Sequence, residues 1–507
     1  VILKRAFALA LSALFACAPV WSQQLELLGA SNFKPSTAVA LNGFVTPLPV
    51  TANTSALVAT ASTTSQNSML SVPAAGTWAS SSTSRNFPVP IPGTFFGMEV
   101  NGPSLGLTGA GTVNFNINAF GGTFSGTSPN CTLAAGQTTC ADTAGCASGV
   151  AFCAHKLTVT GAPCATKVSL AATNSATALA GTLTGPIYMG TAFQSANANE
   201  GLIFGYTFSV PNTIVGWFNN FLTFSGTAEY NVQQIMPTSG TLDTLCVWMM
   251  NGGPSAGATY TVTMFKNGQA TAVTCTVSNP ASTCDTTAGC APSVACPLNV
   301  AVSPGDTISF KSCPSNVAGC PAGSAANAGV GFSWSMRWLP ATAKEAVVWA
   351  SPLGNSGTTP GTTASTNYYN ASNGSGNSTT PQGGANANII PYVPTNITFK
   401  DYTVAWCWGT SSDAGRTFSV EATNTPGAMP ATVAGTSGVK SGVTISSPCQ
   451  TAGSAPTYLA RDTTTTFTTT TPVTDNTLFD IVTVNGTGTH QTMGGGGLKQ
   501  AFVMVVQ

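Results

Sequence analysis

Cysteine is the residue type best placed to do chemistry in this chain, and its spacing narrows which chemistry. Cys131, Cys140, Cys146 and Cys153 recur as Cys275, Cys284, Cys290 and Cys296. The offset is 144 residues for the first three and 143 for the fourth. The pentapeptide Thr143-Ala-Gly-Cys-Ala147 returns unchanged at Thr287–Ala291. Registered thiols can hold a metal or form disulfides. None of these pairs has the Cys-x-x-Cys spacing of a zinc site, and His155 and His490 are the only histidines, so disulfides are favoured over metal. Local pairing predicts Cys131–Cys140, Cys146–Cys153, Cys275–Cys284, Cys290–Cys296, Cys313–Cys320 and Cys407–Cys449. It leaves Cys164 and Cys246 either paired together or free. Each short loop would stabilise the fold by about 2–3 kcal/mol through chain entropy.

Other reactive groups form no constellation. Asp142 and Asp285 occupy matching places after a cysteine, where an Asp ordinarily caps a turn. Calcium or ligand binding is the alternative use of these two. Asp306, in Pro304-Gly-Asp306, reads the same way. His155 has no counterpart in the second copy. His490 lies in Thr489–Gly497, whose Gly494–Gly497 run lacks the Lys-Ser/Thr ending of a phosphate loop. No nucleophile elbow accompanies the abundant serines, and no pair stands out among 15 acidic residues. No catalytic, cofactor or metal residue is therefore expected. Trp217, in Gly216-Trp-Phe-Asn-Asn-Phe-Leu222, is the candidate ligand contact. Trp334 and Trp338 alternate with polar residues as core positions do, and Trp406 and Trp408 flank Cys407.

Composition sets the class. Charged residues are 6%, with 15 basic and 15 acidic, while hydrophobic residues are 43%. No basic patch exists to neutralise phosphates, which argues against nucleic acid as a partner. Residues 1–22 read as a Sec-type signal peptide. Lys4 and Arg5 precede the apolar run Ala6–Ala16, and Val20-Trp-Ser22 precedes a mature start at Gln23. A lipoprotein signal ending at Cys17 is the alternative, for which Phe15 fits poorly. Removing Cys17 from 15 cysteines leaves an even 14, as a disulfide framework in an oxidising compartment requires. No later stretch is apolar enough to span a bilayer as a helix.

The elements that carry these residues read as strands. Thr259-Tyr-Thr-Val-Thr-Met-Phe265 alternates polar and apolar residues, Asn267-Gly268 signals a tight hairpin, and Ala270–Val277 returns. Pro304-Gly-Asp306 turns into Thr307–Phe310, and Val330–Trp338 closes the unit. Residues 200–340 thus form one module. Residues 85–199 form its first copy, with Gly121-Gly122 expected at the hairpin tip. A looser copy fills 341–507 and carries a Gly/Asn/Ser-rich insertion at 354–388. Residues 23–84 are expected to be a Ser/Thr/Ala-rich extended arm or linker, with a small strand-bearing region as the alternative. The fold class is all-β: tandem antiparallel β-sandwich modules, jelly-roll-like, stapled by local disulfides.

Met236-Pro-Thr-Ser-Gly-Thr-Leu-Asp-Thr-Leu245, Thr259–Gly268 and Gly305-Asp-Thr-Ile-Ser-Phe310 together resemble the tandem jelly-roll or β-sandwich modules of bacterial surface, spore-coat and phage tail proteins. The resemblance implies display outside the cell and oligomerisation, and it carries over no catalytic residue. The expected function is an exported, non-enzymatic bacterial surface or matrix protein acting by adhesion or self-assembly, with itself or a cell-surface glycan as partner. A secreted carbohydrate-binding protein using exposed aromatics is the alternative, and a secreted hydrolase the second.

Overall fold

The computed structural model describes residues 86–101, 112–142, 155–174, 187–219 and 229–350, with gaps of one or two residues. It also describes the strands Val45–Ala52 and Gln66–Ser68 and nine strands after residue 350. All belong to one compact unit, Leu41–Gln507. Every regular element among the described residues is a strand, and every strand pairing is antiparallel.

The second module shows how the sequence builds its layers. Tyr260, Val262 and Met264 point into the core, and Thr259, Thr261 and Thr263 point out. Its strands fill eight positions in chain order. Gly201–Val210 is first, and Gly216–Phe218 with Gln234–Ile235 is second. Gly240–Met249, Thr259–Lys266 and Gln269–Ser278 are third to fifth. Thr283–Asp285 with Asn299–Val302 is sixth, Thr307–Pro314 seventh and Val330–Pro340 eighth. Two sheets result, in the orders 1-8-3-6 and 2-7-4-5, which is the jelly roll. The same two orders recur in the first module, between Val45–Ala52 and Ile187–Ser195, and in the third, between Glu345–Ala350 and Leu498–Val506.

One open choice narrows and two sequence expectations change. The 23–84 stretch supplies strands, because Val45–Ala52 pairs with Ile187–Ser195 and Gln66–Ser68 pairs with Lys167–Asn174. Val45–Ala52 carries Pro47 and Pro49, which a strand tolerates only at a sheet edge, and it is the edge strand. Within the 354–388 insertion, Thr366–Asn370 pairs with Thr477–Val484. Gly121-Gly122 does not close a two-residue hairpin. The chain runs on into Phe124–Gly126, which joins Lys156–Val159 in the other sheet, before Asn130–Ala134 returns to pair with Thr112–Phe120. The second module keeps the expected turn, with positive φ at Asn267 (51°) and Gly268 (76°).

The jelly rolls pack head to tail. Phe87–Pro88, the end of position 2 in the first module, lies against Gly240–Met249 and Val330–Pro340 of the second. Gln234–Ile235 lies in the same way against Ile397–Trp406 and Leu498–Val506 of the third. Tyr392–Val393 lies against Val45–Ala52 and Ile187–Ser195 of the first. The three contacts close a ring with pseudo-threefold symmetry, and the three position-1 strands meet one another. Ser333 Oγ donates to Asn86 O (2.5 Å) and Ser335 Oγ to Pro88 O (2.5 Å) at the first junction. Trp349 Nε1 donates to Ile235 O (2.9 Å) at the second. One core cluster joins Phe96 and Ala192 of the first module to Trp334 of the second and to Trp349, Val404 and Phe502 of the third.

Among the described residues five disulfides form: Cys131–Cys140, Cys275–Cys284, Cys290–Cys296, Cys313–Cys320 and Cys164–Cys246. They fit an oxidising environment. The expected pairs Cys146–Cys153 and Cys407–Cys449 lie outside the described residues. Cys164–Cys246 settles the leftover pair and links the first module to the second across 82 residues, with Cα atoms 5.5 Å apart. Replacing both by serine should lower stability by about 4.5 kcal/mol on the chain-entropy relation. Chemical unfolding of the oxidised protein measures this, and non-reducing peptide mapping should recover the Cys164–Cys246 peptide.

Asp306 locks the hairpin tip to the Pro-Gly-Asp turn. It accepts from Asn267 Nδ2 (2.6 Å), Ser303 N (2.7 Å) and Lys266 Nζ (2.9 Å). Burial pushes its carboxyl up, but the bonds from Asn267, Lys266 and Ser303 outweigh burial and hold it below the usual carboxylate range. Its stabilising effect is therefore full above the unfolded-state value and is lost as pH falls through the lower folded value. Asp306→Asn should flatten the acid limb of the stability–pH curve by lowering stability at neutral pH while changing it little in acid, which chemical unfolding across the pH range measures.

Candidate functional site

A bulge recurs at one place in position 3 of all three modules, and the first bulged residue has positive φ each time: Gly97 (64°), Thr244 (51°) and Asp401 (53°). The residue before it faces position 8 as Phe96 opposite Ala192, Asp243 opposite Arg337, and Lys400 opposite Val503. The pairing register also places Glu200 beside the second pair and Glu345 beside the third.

In the second module these positions build a buried ionic cluster. Arg337 is 3% exposed and meets Asp243 in a bidentate fork, Nε to Oδ1 at 2.7 Å and Nη2 to Oδ2 at 2.8 Å. Nη1 donates to Glu200 Oε1 (2.9 Å) and Ala291 O (2.8 Å), and Nη2 to Val294 O (2.6 Å). Asp243 Oδ2 also accepts the backbone N–H of Cys296 at 2.8 Å. Burial disfavours the charged guanidinium, but the hydrogen bonds and charges of Asp243 and Glu200 more than offset this, so its pKa is raised. The cluster clamps the Cys290–Cys296 loop to the sheet. In the third module Glu345 pairs with Lys400 and accepts from Thr238 Oγ1 of the second module (2.6 Å). Sequence reading singled out none of these residues. The available signal was the isolated charge inside apolar strands, Asp243 in Thr-Leu-Asp-Thr-Leu and Arg337 in Ser-Met-Arg-Trp.

The matching aspartates part company. Asp285 is exposed and caps its turn, accepting from Thr287 N (3.1 Å) and Thr287 Oγ1 (2.7 Å). Asp142 is buried and meets His155 Nδ1 at 2.8 Å, while Asn130 Nδ2 lies 3.2 Å from the same ring nitrogen. Carboxylate, imidazole and amide thereby tie Asn130–Ala134, position 5, to the end of Thr139–Ala141 and the start of Lys156–Val159, the two strands of position 6. No group of three metal-ligating side chains occurs among the described residues.

Trp217 is half-buried on the outer face of the 2-7-4-5 sheet. It packs edge-on against Phe265 with ring centroids 4.6 Å apart, and Lys311 Nζ lies 5.8 Å from the Trp217 ring and 5.9 Å from Phe265. Beside them runs a threonine ladder, with Thr261–Thr276 and Thr263–Thr274 hydroxyl contacts at 2.9 Å each. An aromatic pair, a cation and hydroxyl rows can stack on a sugar ring and orient its hydroxyls. Trp334 and Trp338 are core residues, each fully buried. Trp408, His490 and Gly494–Gly497 lie outside the described residues, as does the side chain of Trp406.

Arg337→Ala should destabilise by about 3–5 kcal/mol, because it leaves Asp243 and Glu200 buried without their cation. Chemical unfolding measures the loss. The same variant should reduce faster at Cys290–Cys296, read by timed thiol labelling and mass spectrometry.

No protein-family model matches the chain, and no curated protein is detectably similar to it.

Proposed function

We propose that this is an exported, non-enzymatic surface or extracellular-matrix protein of a bacterium, acting by adhesion or self-assembly. The closed ring carries the reading. Three jelly rolls in one chain each seat the end of position 2 on the 1-8-3-6 sheet of the next and hold three related outer surfaces in fixed register. The most intricately bonded charged residues, Arg337 with Asp243 and Glu345 with Lys400, serve cohesion. Such a body suits repetitive contact better than turnover. With 6% charged residues, copies repel one another little.

Electron microscopy and sedimentation of the purified mature protein test this. Ordered particles, filaments or surface-bound arrays are expected. A protein that stays monomeric at every concentration and adheres to no cell or matrix surface would overturn the proposal.

The Trp217–Phe265–Lys311 group favours a second reading, glycan binding by the outer sheet of the second module. Trp217→Ala should then abolish retention on the glycan-bearing surface by at least tenfold while leaving Tm within a few degrees. Equal retention by both proteins on a glycan array would remove this reading.

A further inference from the structure

In every module position 2 is broken opposite one residue of position 7. In the second module Phe218 faces Phe310 and Gln234 faces Ile308, so the two strands of position 2 leave Ser309 alone between their pairings. The corresponding gaps fall opposite Ser169 in the first module and Phe479 in the third. The second module fills its gap with polar side chains. Ser309 Oγ donates to Glu229 Oε1 at 2.7 Å, and Gln233 Nε2 donates to the same oxygen at 3.1 Å. Asn219 Nδ2 donates to Ile308 O at 2.5 Å. Glu229, Gln233 and Asn219 are each no more than 2% exposed.

Each of the three keeps one oxygen without a donor: Glu229 Oε2, Gln233 Oε1 and Asn219 Oδ1. Glu229 and Asn219 are anchored to adjacent residues, Ser309 and Ile308, and Gln233 is anchored to Glu229. No Lys, Arg or His among the described residues forms an ion pair with Glu229. Buried acceptors without donors call for a missing donor or cation, and a buried carboxylate most of all.

We propose that Glu229, Gln233 and Asn219 bind a hard divalent cation of the calcium class. Calcium takes about 6–8 oxygens and accepts this mixture of one carboxylate and two amide carbonyls, with backbone carbonyls or water completing the shell. A single carboxylate puts the affinity in the range of extracellular modules, about 10⁻⁴–10⁻³ M. The ion would tie Asn219, Glu229 and Gln233 together against position 7. Gln234–Ile235 leave the site directly into the junction with the third module, so occupancy would stiffen that junction too.

The test uses the full mature protein, with wild type, Glu229→Gln and Asn219→Ala compared in calcium chloride and in chelator. Calorimetric titration with calcium and terbium luminescence excited through tryptophan report binding, and thermal unfolding reports the linked stability. Wild type should bind calcium and gain Tm. Glu229→Gln should lose at least tenfold in affinity and the calcium-dependent gain, while remaining as stable as wild type in chelator. Asn219→Ala should weaken binding severalfold and decides the matter if the first variant does not fold. Wild type indifferent to calcium at about 10 mM, well above that affinity range, would overturn the proposal. So would variants that keep the wild-type calcium response.

Discussion

A guanidinium with 3% of its surface exposed survives only if every donor is answered, and Arg337 meets that demand from three parts of the chain. Asp243 lies across the sheet, Glu200 stands where the first module gives way to the second, and the carbonyls of Ala291 and Val294 come from the cysteine loop. Loop, sheet and junction are thereby fixed to one side chain. The loop that organises the duplicated cysteine pattern is held as firmly by this arginine as by its own disulfide.

The other two modules show what the ionic solution is for. At the equivalent pair the first module has Phe96 and Ala192, both buried, and the third has Lys400 opposite Val503. An apolar pair is commonly at least as stable as a buried ion pair, so stability alone does not account for Arg337. Its added effect is directional. A planar fork with extra donors fixes the path of the 291–296 loop, which an apolar pair cannot do. In the third module the charged pair Glu345–Lys400 instead reaches Thr238 of the neighbouring module. One backbone bulge therefore supports three chemistries, each fitted to what lies against it in the ring.

The ring explains which parts of the fold were legible in the sequence. Alternation and the Asn267-Gly268 turn mark the middle of the second module because local rules act there. Val45–Ala52 escaped detection because its prolines fit only an edge, and edges are defined by tertiary structure. Thr366–Asn370 is a short strand inside a Gly/Asn/Ser-rich stretch, where composition speaks for loop. Cys164 and Cys246 could not be assigned from spacing, since their partnership depends on how two modules dock. The site residues divide likewise. Asp285 and Asp306 do what their turns predict, whereas Asp142, Asp243 and Glu229 take their roles from partners distant in sequence.

Charge is scarce here, and much of it is inside. Asp142, Glu200, Glu229, Asp243 and Glu345 are buried, five of the chain's 15 acidic residues. The outer sheet of the second module presents threonines instead. Along the ladder Thr261 bonds Thr276 and Thr263 bonds Thr274, and the Thr274 hydroxyl also reaches Val262 O. A ladder that satisfies itself offers few free donors to a partner, so it is better suited to flat, weak contact than to specific recognition. On the proposed glycan reading, specific recognition on this face falls to where the ladder ends, at Trp217, Phe265 and Lys311, whose rings and ammonium group retain part of their surface.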